Sequence, residues 1–147
     1  MSRFHRAGGD GKAVSRSIAL ITLVVPDYDQ ALAFYVDTLG FELVEDTPLA
    51  NGKRWVRVSP DPDAERGATL LLAKADGADQ AASVGWQTGK RVAFFLETSD
   101  FDLDYRAMRK AGIQFEEEPR EEAYGKVAVW RDPFGNRWDL VEPKELD

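Results

Sequence analysis

The sequence predicts an α+β chain built from two tandem βαβββ modules, and three observations carry that expectation. One stretch of helical periodicity opens at Asp27-Tyr28-Asp29 and closes at Leu39-Gly40-Phe41; another opens at Asp100-Phe101-Asp102 and closes at Ala111-Gly112-Ile113. Each is preceded by an apolar run, Ile18 to Val25 or Val92 to Leu96, and followed by β-like segments. The spacing also repeats: 73 residues separate Asp27 from Asp100, and 73 separate Gly52-Lys53 from Gly125-Lys126. A spacing held at two landmarks marks a duplicated unit.

Residues 1–16 belong to neither copy and read as a mobile N-terminal tail. They hold Gly8, Gly9, Gly11 and the sole histidine, His5, without the apolar stretch of a signal peptide. Gly11-Lys12 is no phosphate loop, because Arg6 stands where the first glycine belongs and Ala13 where Ser or Thr belongs. Residues 17–147 form a single domain: a first module over about 18–75, a connector over 76–90 and a second module over about 91–143.

Ile18 to Val25 is apolar and β-branched, as expected of a strand covered on both faces. Asp27 caps the following helix with Gln30 at the reciprocal position, and Tyr28, Leu32, Tyr35 and Leu39 mark one helical face. Gly40 stops that helix. Phe41 to Glu45, Lys53 to Val58 and Ala68 to Lys74 complete the module as strands. In the second module Val92 to Leu96 is a strand, and Phe101, Tyr105 and Met108 face a helix closed by Gly112. Ile113 to Glu117, Lys126 to Arg131 and Asn136 to Glu142 are the remaining strands. Asp132-Pro133-Phe134-Gly135-Asn136 supplies a strong turn between the last two.

Composition narrows function. At 147 residues the chain can bury one self-sufficient core. The net charge of −7 argues against a nucleic-acid partner, and no apolar run reaches the length of a membrane span. Cysteine is absent, which removes thiolate metal sites and nucleophiles and suits a cytoplasmic setting. With one histidine, in the tail, neither a catalytic triad nor an imidazole base is available. The acidic runs Glu116-Glu117-Glu118 and Glu121-Glu122 read as solvated loop, so no catalytic residue is assigned.

Val25-Pro26-Asp27, Ala33-Phe34-Tyr35, Leu39-Gly40-Phe41 and Asp132-Pro133-Phe134-Gly135-Asn136 before Asp139-Leu140-Val141-Glu142 together resemble the vicinal oxygen chelate superfamily. That superfamily includes glyoxalase I, extradiol dioxygenases and bleomycin-resistance proteins. The resemblance implies a glyoxalase/bleomycin-resistance-like fold, with two βαβββ modules curled around a shared cavity. It also implies four metal-ligand positions, which fall here on Leu20, Leu71, Arg91 and Asp139. A divalent ion needs several converging oxygen or nitrogen donors, and Asp139 alone offers one. No metal and no cofactor is therefore expected.

If both point into the cavity, as the resemblance implies, Arg91 and Asp139 are expected to form an internal ion pair, with the guanidinium also placed to grip a ligand anion. Trp55 and Arg57 share one strand face by alternation, either as cavity wall or as core and surface groups. Trp86 and Gln87, in the connector, are placed to reach the cavity mouth or a partner chain. The candidate ligand contacts are thus Trp55, Arg57, Trp86, Gln87, Arg91 and Asp139. The expected function is metal-independent binding of a small molecule. The alternative is a lyase, isomerase or dioxygenase with atypical ligation or metal-free catalysis. The resemblance further implies a homodimer, in which Leu43, Val44 and Ile113 would gain burial.

Overall fold

The computed structural model describes residues 13–63 and 67–145. Most of the expected tail, His5 included, lies outside the described residues, and residues 13–16 carry no regular structure. The first module runs β1 (Leu20–Val25), α1 (Tyr28–Leu32) continuing as a π-helical segment (Ala33–Thr38), β2 (Glu42–Pro48), β3 (Arg54–Ser59) and β4 (Thr69–Lys74). The connector holds a short helix α2 (Ala78–Ser83) and β5 (Gln87–Lys90). The second module runs β6 (Phe94–Glu97), α3 (Phe101–Lys110), β7 (Gln114–Phe115), β8 (Arg120–Glu122), β9 (Gly125–Arg131) and β10 (Arg137–Pro143).

Both modules build the same sheet. In the first the order is β1-β4-β3-β2, with β1 parallel to β4 and the other pairs antiparallel. In the second, β6 runs parallel to β10, β10 antiparallel to β9, and β7 and β8 both pair with β9. The single strand expected from Ile113 is thus interrupted. Around the interruption the Glu117 carboxylate, rather than a main-chain carbonyl, accepts from the Val129 amide at 3.0 Å.

Both helices open as the sequence indicates. Asp27 accepts from the Gln30 amide at 2.9 Å and Asp100 from the Leu103 amide at 3.1 Å, each satisfying a donor that a helix start leaves orphaned. Beyond that point the repeat drifts. Tyr35 and Met108, both buried, are 73 residues apart; Phe41 and Ile113 are 72 apart, as are Val58 and Trp130. The extra residue is absorbed in the π-helical segment, where the Leu39 amide donates to the Phe34 carbonyl and the Phe41 amide to the Tyr35 carbonyl, both at 2.8 Å. Gly52-Lys53 and Gly125-Lys126 match in sequence yet stand one residue out of step in the sheets.

One core joins the modules. The indoles of Trp130 and Trp138 stack at 5.0 Å, and Tyr35 and Phe41 of the first module pack on Trp138 at 5.8 and 6.0 Å. At its centre the fully buried Tyr35 hydroxyl donates to Asp132 at 2.6 Å and accepts from the Trp138 indole at 3.2 Å. Asp132 also accepts from the Phe134 and Asn136 amides and from the Asn136 side chain. Burial, reinforced by the Asp132 charge, holds the Tyr35 hydroxyl well above its ordinary pKa, so it stays a donor. The opposite face of the first sheet is only partly covered. β1 alternates fully buried Leu23 and Val25 with Thr22 and Val24, which are exposed and half-buried, so the expected cover on both faces is absent. Ile113, expected at an exposed edge, is already in the core.

Candidate functional site

The faces turned away from the core follow from strand register. In the first sheet Glu45, Arg57, Leu71 and Thr22 form one row across β2, β3, β4 and β1. Trp55 shares the Arg57 face, because Val56 and Val58 between and beyond them are fully buried. Arg57 donates through Nη1 to Glu45 at 3.2 Å, while its buried Nε has no hydrogen-bond partner. Both side chains are half-buried, so the face presents an indole and a guanidinium among aliphatic groups.

In the second sheet the corresponding row places Asp139 between Phe95 and Val129. Asp139 is 4% exposed and its Oδ1 lacks a partner, whereas Phe95 beside it is 66% exposed. Burial pushes the Asp139 carboxyl above its ordinary pKa, and the Arg120 charge only partly offsets this.

The expected Arg91–Asp139 ion pair is not formed. Arg91 is exposed and sits in a turn before β6, closed by its amide donating to the Thr88 carbonyl and by the Thr88 hydroxyl donating to the Arg91 carbonyl. The reason is strand length: β6 begins only near Ala93, whose amide donates to the Arg137 carbonyl at 2.8 Å. Ala93 stands seven residues before Asp100, as Leu20 stands seven before Asp27, and so takes the position assigned to Arg91.

The four positions at which superfamily members ligate a metal are then Leu20, Leu71, Ala93 and Asp139. Three are aliphatic and the fourth is a buried carboxyl biased toward its neutral form, so this donor set does not fit a divalent ion. Among the described residues no group of three or more His, Cys, Asp or Glu gathers elsewhere to hold one.

Gln87 is engaged in a structural role. Its amide oxygen accepts from the Val24 main chain at 2.6 Å and its amide nitrogen donates to the Thr22 carbonyl at 3.0 Å, covering the middle of the free edge of β1. Its neighbour Trp86 is 53% exposed and lines a cleft of about 520 Å³ together with Arg91, Lys90, Arg131 and Arg137. The six expected contacts therefore do not line one pocket. This cleft takes Trp86 and Arg91, β3 carries Trp55 and Arg57, Asp139 lies on β10, and Gln87 on the edge of β1.

Lys90, Arg131 and Arg137 were not singled out by the sequence reading. Arg131 and Arg137 bracket the Asp132–Asn136 turn and sit directly opposite each other across β9 and β10. Like charges so placed repel and call for an anion. Glu116 supplies it, accepting from Arg131 Nε at 2.7 Å and from Arg137 Nε and Nη2 at 2.9 and 3.0 Å. Bonding to Arg137 holds the Glu116 carboxyl below its ordinary pKa. The turn with its flanking arginines was the signal available in the sequence.

The model of the Glyoxalase/Bleomycin resistance protein/Dioxygenase superfamily matches residues 17–140. An uncharacterized protein of Shewanella frigidimarina (strain NCIMB 400) is 48% identical over 130 residues, 88% of this chain and 95% of that one. The crystal structure of UcmS2 superposes with a TM-score of 0.74 at 28% identity, covering 88% of this chain and 99% of that chain. TnmS3, an antibiotic binding protein from Streptomyces sp. CB03234, gives 0.69 at 29% identity over 90% and 99% of the two chains. The chain belongs to the glyoxalase/bleomycin-resistance/dioxygenase superfamily.

Proposed function

We propose that this superfamily member is a metal-independent binding protein for a small organic molecule, working as a cytoplasmic homodimer. The observation that carries the reading is the donor set at Leu20, Leu71, Ala93 and Asp139, which removes chelation as a means of holding or activating a substrate. What remains on those faces suits binding: Trp55 and Arg57 on one sheet and the exposed Phe95 ring on the other, aromatic and aliphatic surface with a few polar groups. The likeness to an antibiotic binding protein supports the same class. Exposed Leu43 and Phe95 favour a second copy, whose approach would bury them and turn open faces into cavity walls. The cysteine-free composition suits the cytoplasm.

A second reading, an enzyme working without the usual ligands, draws on Asp139 alone: a buried carboxyl with an unpartnered oxygen is what a proton donor would use. One experiment separates the two. A thermal-shift screen of the full chain against metabolites and antibiotics should find compounds that raise the melting temperature by mass action and are recovered unchanged. Elemental analysis after incubation with Mn, Fe, Ni and Zn should find no stoichiometric metal. A stoichiometric ion, or a compound returned as product, would overturn the binding reading.

A further inference from the structure

We infer that the cleft beside β5 recognises an anionic aromatic molecule, with its ring on Trp86 and its carboxylate or phosphate on Arg91. The inference rests on the reading of this chain as a binding protein and adds a site of its own, apart from the sheet faces that carry Trp55, Arg57 and Phe95. Its first support is charge. On a chain of net charge −7, the cleft gathers Lys90, Arg91, Arg131 and Arg137 around a single carboxylate, Glu116. A cleft of one sign focuses its field and concentrates counter-ions of the other.

The second support is which of these cations is already used. Arg137 is consumed: Nε and Nη2 donate to Glu116 and Nη1 to the Lys90 carbonyl at 2.7 Å. Arg131 uses only Nε on Glu116 and is 53% exposed at its side chain. Arg91 makes no ion pair among the described residues and is exposed on the cleft wall. A guanidinium in that condition presents a planar fork of donors that matches a carboxylate or phosphate.

The third support is the ring. Trp86 shows half its surface, and the Lys90 ammonium lies 5.9 Å from its centroid, so a flat surface and positive charge occur together. The wall is held in place. Gly85, at φ 70°, packs so closely on the turn that a Cβ there would stand 2.0 Å from the Phe134 carbonyl oxygen. On the other side of Trp86, Gln87 is itself tied to β1. Trp86 is thus held between two fixed points, an arrangement that lowers the ordering cost of binding.

The test is a titration of the isotopically labelled full chain with phenyl phosphate, benzoate, benzyl alcohol and inorganic phosphate. The reporter is the indole N–H resonance of Trp86, assigned by its loss in Trp86→Phe. Both aromatic anions should move this signal saturably at millimolar concentration, and the tighter one identifies the anionic group. Arg91→Ala should weaken them about tenfold, about 1.4 kcal/mol, and added salt should weaken them further. No saturable movement of Trp86, equal response to benzyl alcohol, equal response to inorganic phosphate, or unchanged affinity in Arg91→Ala would each overturn the assignment. A thermal-shift hit that leaves the Trp86 signal still would overturn this cleft while the broader binding function stands.

Discussion

In the first module the helix widens into a π-helical turn and sends Tyr35 across to the other module. In the second, α3 is regular along its length, and its buried Phe101 and Met108 stay within the common core, with no side-chain hydroxyl to send across to the first module. The difference amounts to one residue between Tyr35 and Phe41 relative to Met108 and Ile113. Duplicated units start with equivalent surfaces, but two units packed together must present complementary ones. Here the wider turn carries the hydroxyl that Asp132 receives, and Asp132 belongs to the turn between β9 and β10 of the other copy. The lesson is that the repeat departs from itself where the copies meet.

The strongest way to break this comparison is to remove the acceptor. Asp132→Ala strands four donors in the core, namely the Tyr35 hydroxyl, the Phe134 and Asn136 amides and the Asn136 side chain. A loss of about 4 kcal/mol is expected, since each buried unsatisfied group costs about 1–3 kcal/mol and partial relaxation recovers some. Urea unfolding measures it; a loss below about 1 kcal/mol would mean the modules are not joined through this residue.

A sharper comparison uses the two glycines that first suggested the repeat. At Gly125 an added Cβ would stand 2.3 Å from the Glu142 carbonyl oxygen, whereas at Gly52 it meets nothing within 4 Å. Gly125→Ala should therefore cost about 3 kcal/mol by forcing β9 from β10. Gly52→Ala should cost about 1 kcal/mol, through the strain of its positive φ of 75° alone. Similar losses in the two variants would show that the positions are equivalent after all.

The smallest effect lies on the open faces. Because burial raises the folded-state pKa of Asp139 above its unfolded value, the folded protein binds this proton more tightly. Stability is therefore lost as pH rises from the ordinary carboxylate range through the raised pKa. Asp139→Asn should remove that dependence, being more stable than the parent at neutral pH and level with it in acid. Leu71, at the same place in the first module, has no such proton to lose. A variant less stable at pH 7 would mean that the carboxylate has a cationic partner in solution.

Much of this architecture was legible in the chain. Asp27 and Asp100 cap where expected because a cap is a local event, decided by one side chain and the amides just after it. The π-helical turn was not legible, since Tyr28, Leu32, Tyr35 and Leu39 keep helical spacing whether or not a residue is later accommodated. Arg91 was misplaced because the resemblance sets that position at the start of a strand expected from Val92, and only pairing with β10 decides that β6 begins beyond both. Gln87 was read as a ligand contact because nothing in a sequence marks which strand will lie at an edge. Trp86 and Arg91 were named together, and they do share a cleft, but the arginines of β9 and β10 reached it only through the fold.

Gln87 has a further consequence. A primary amide carries one carbonyl and two N–H bonds, so its side chain imitates the peptide unit of a neighbouring strand and occupies two of the β1 groups such a strand would use, the Val24 N–H and the Thr22 carbonyl. An open strand edge invites another molecule to add to the ladder, the first step toward uncontrolled polymerisation. At the far side of the same sheet, β2 carries Glu42, Glu45 and Asp46 and ends in Pro48, whose nitrogen cannot donate. With a decoy peptide on one flank and acids with a proline on the other, this sheet is guarded against growing sideways.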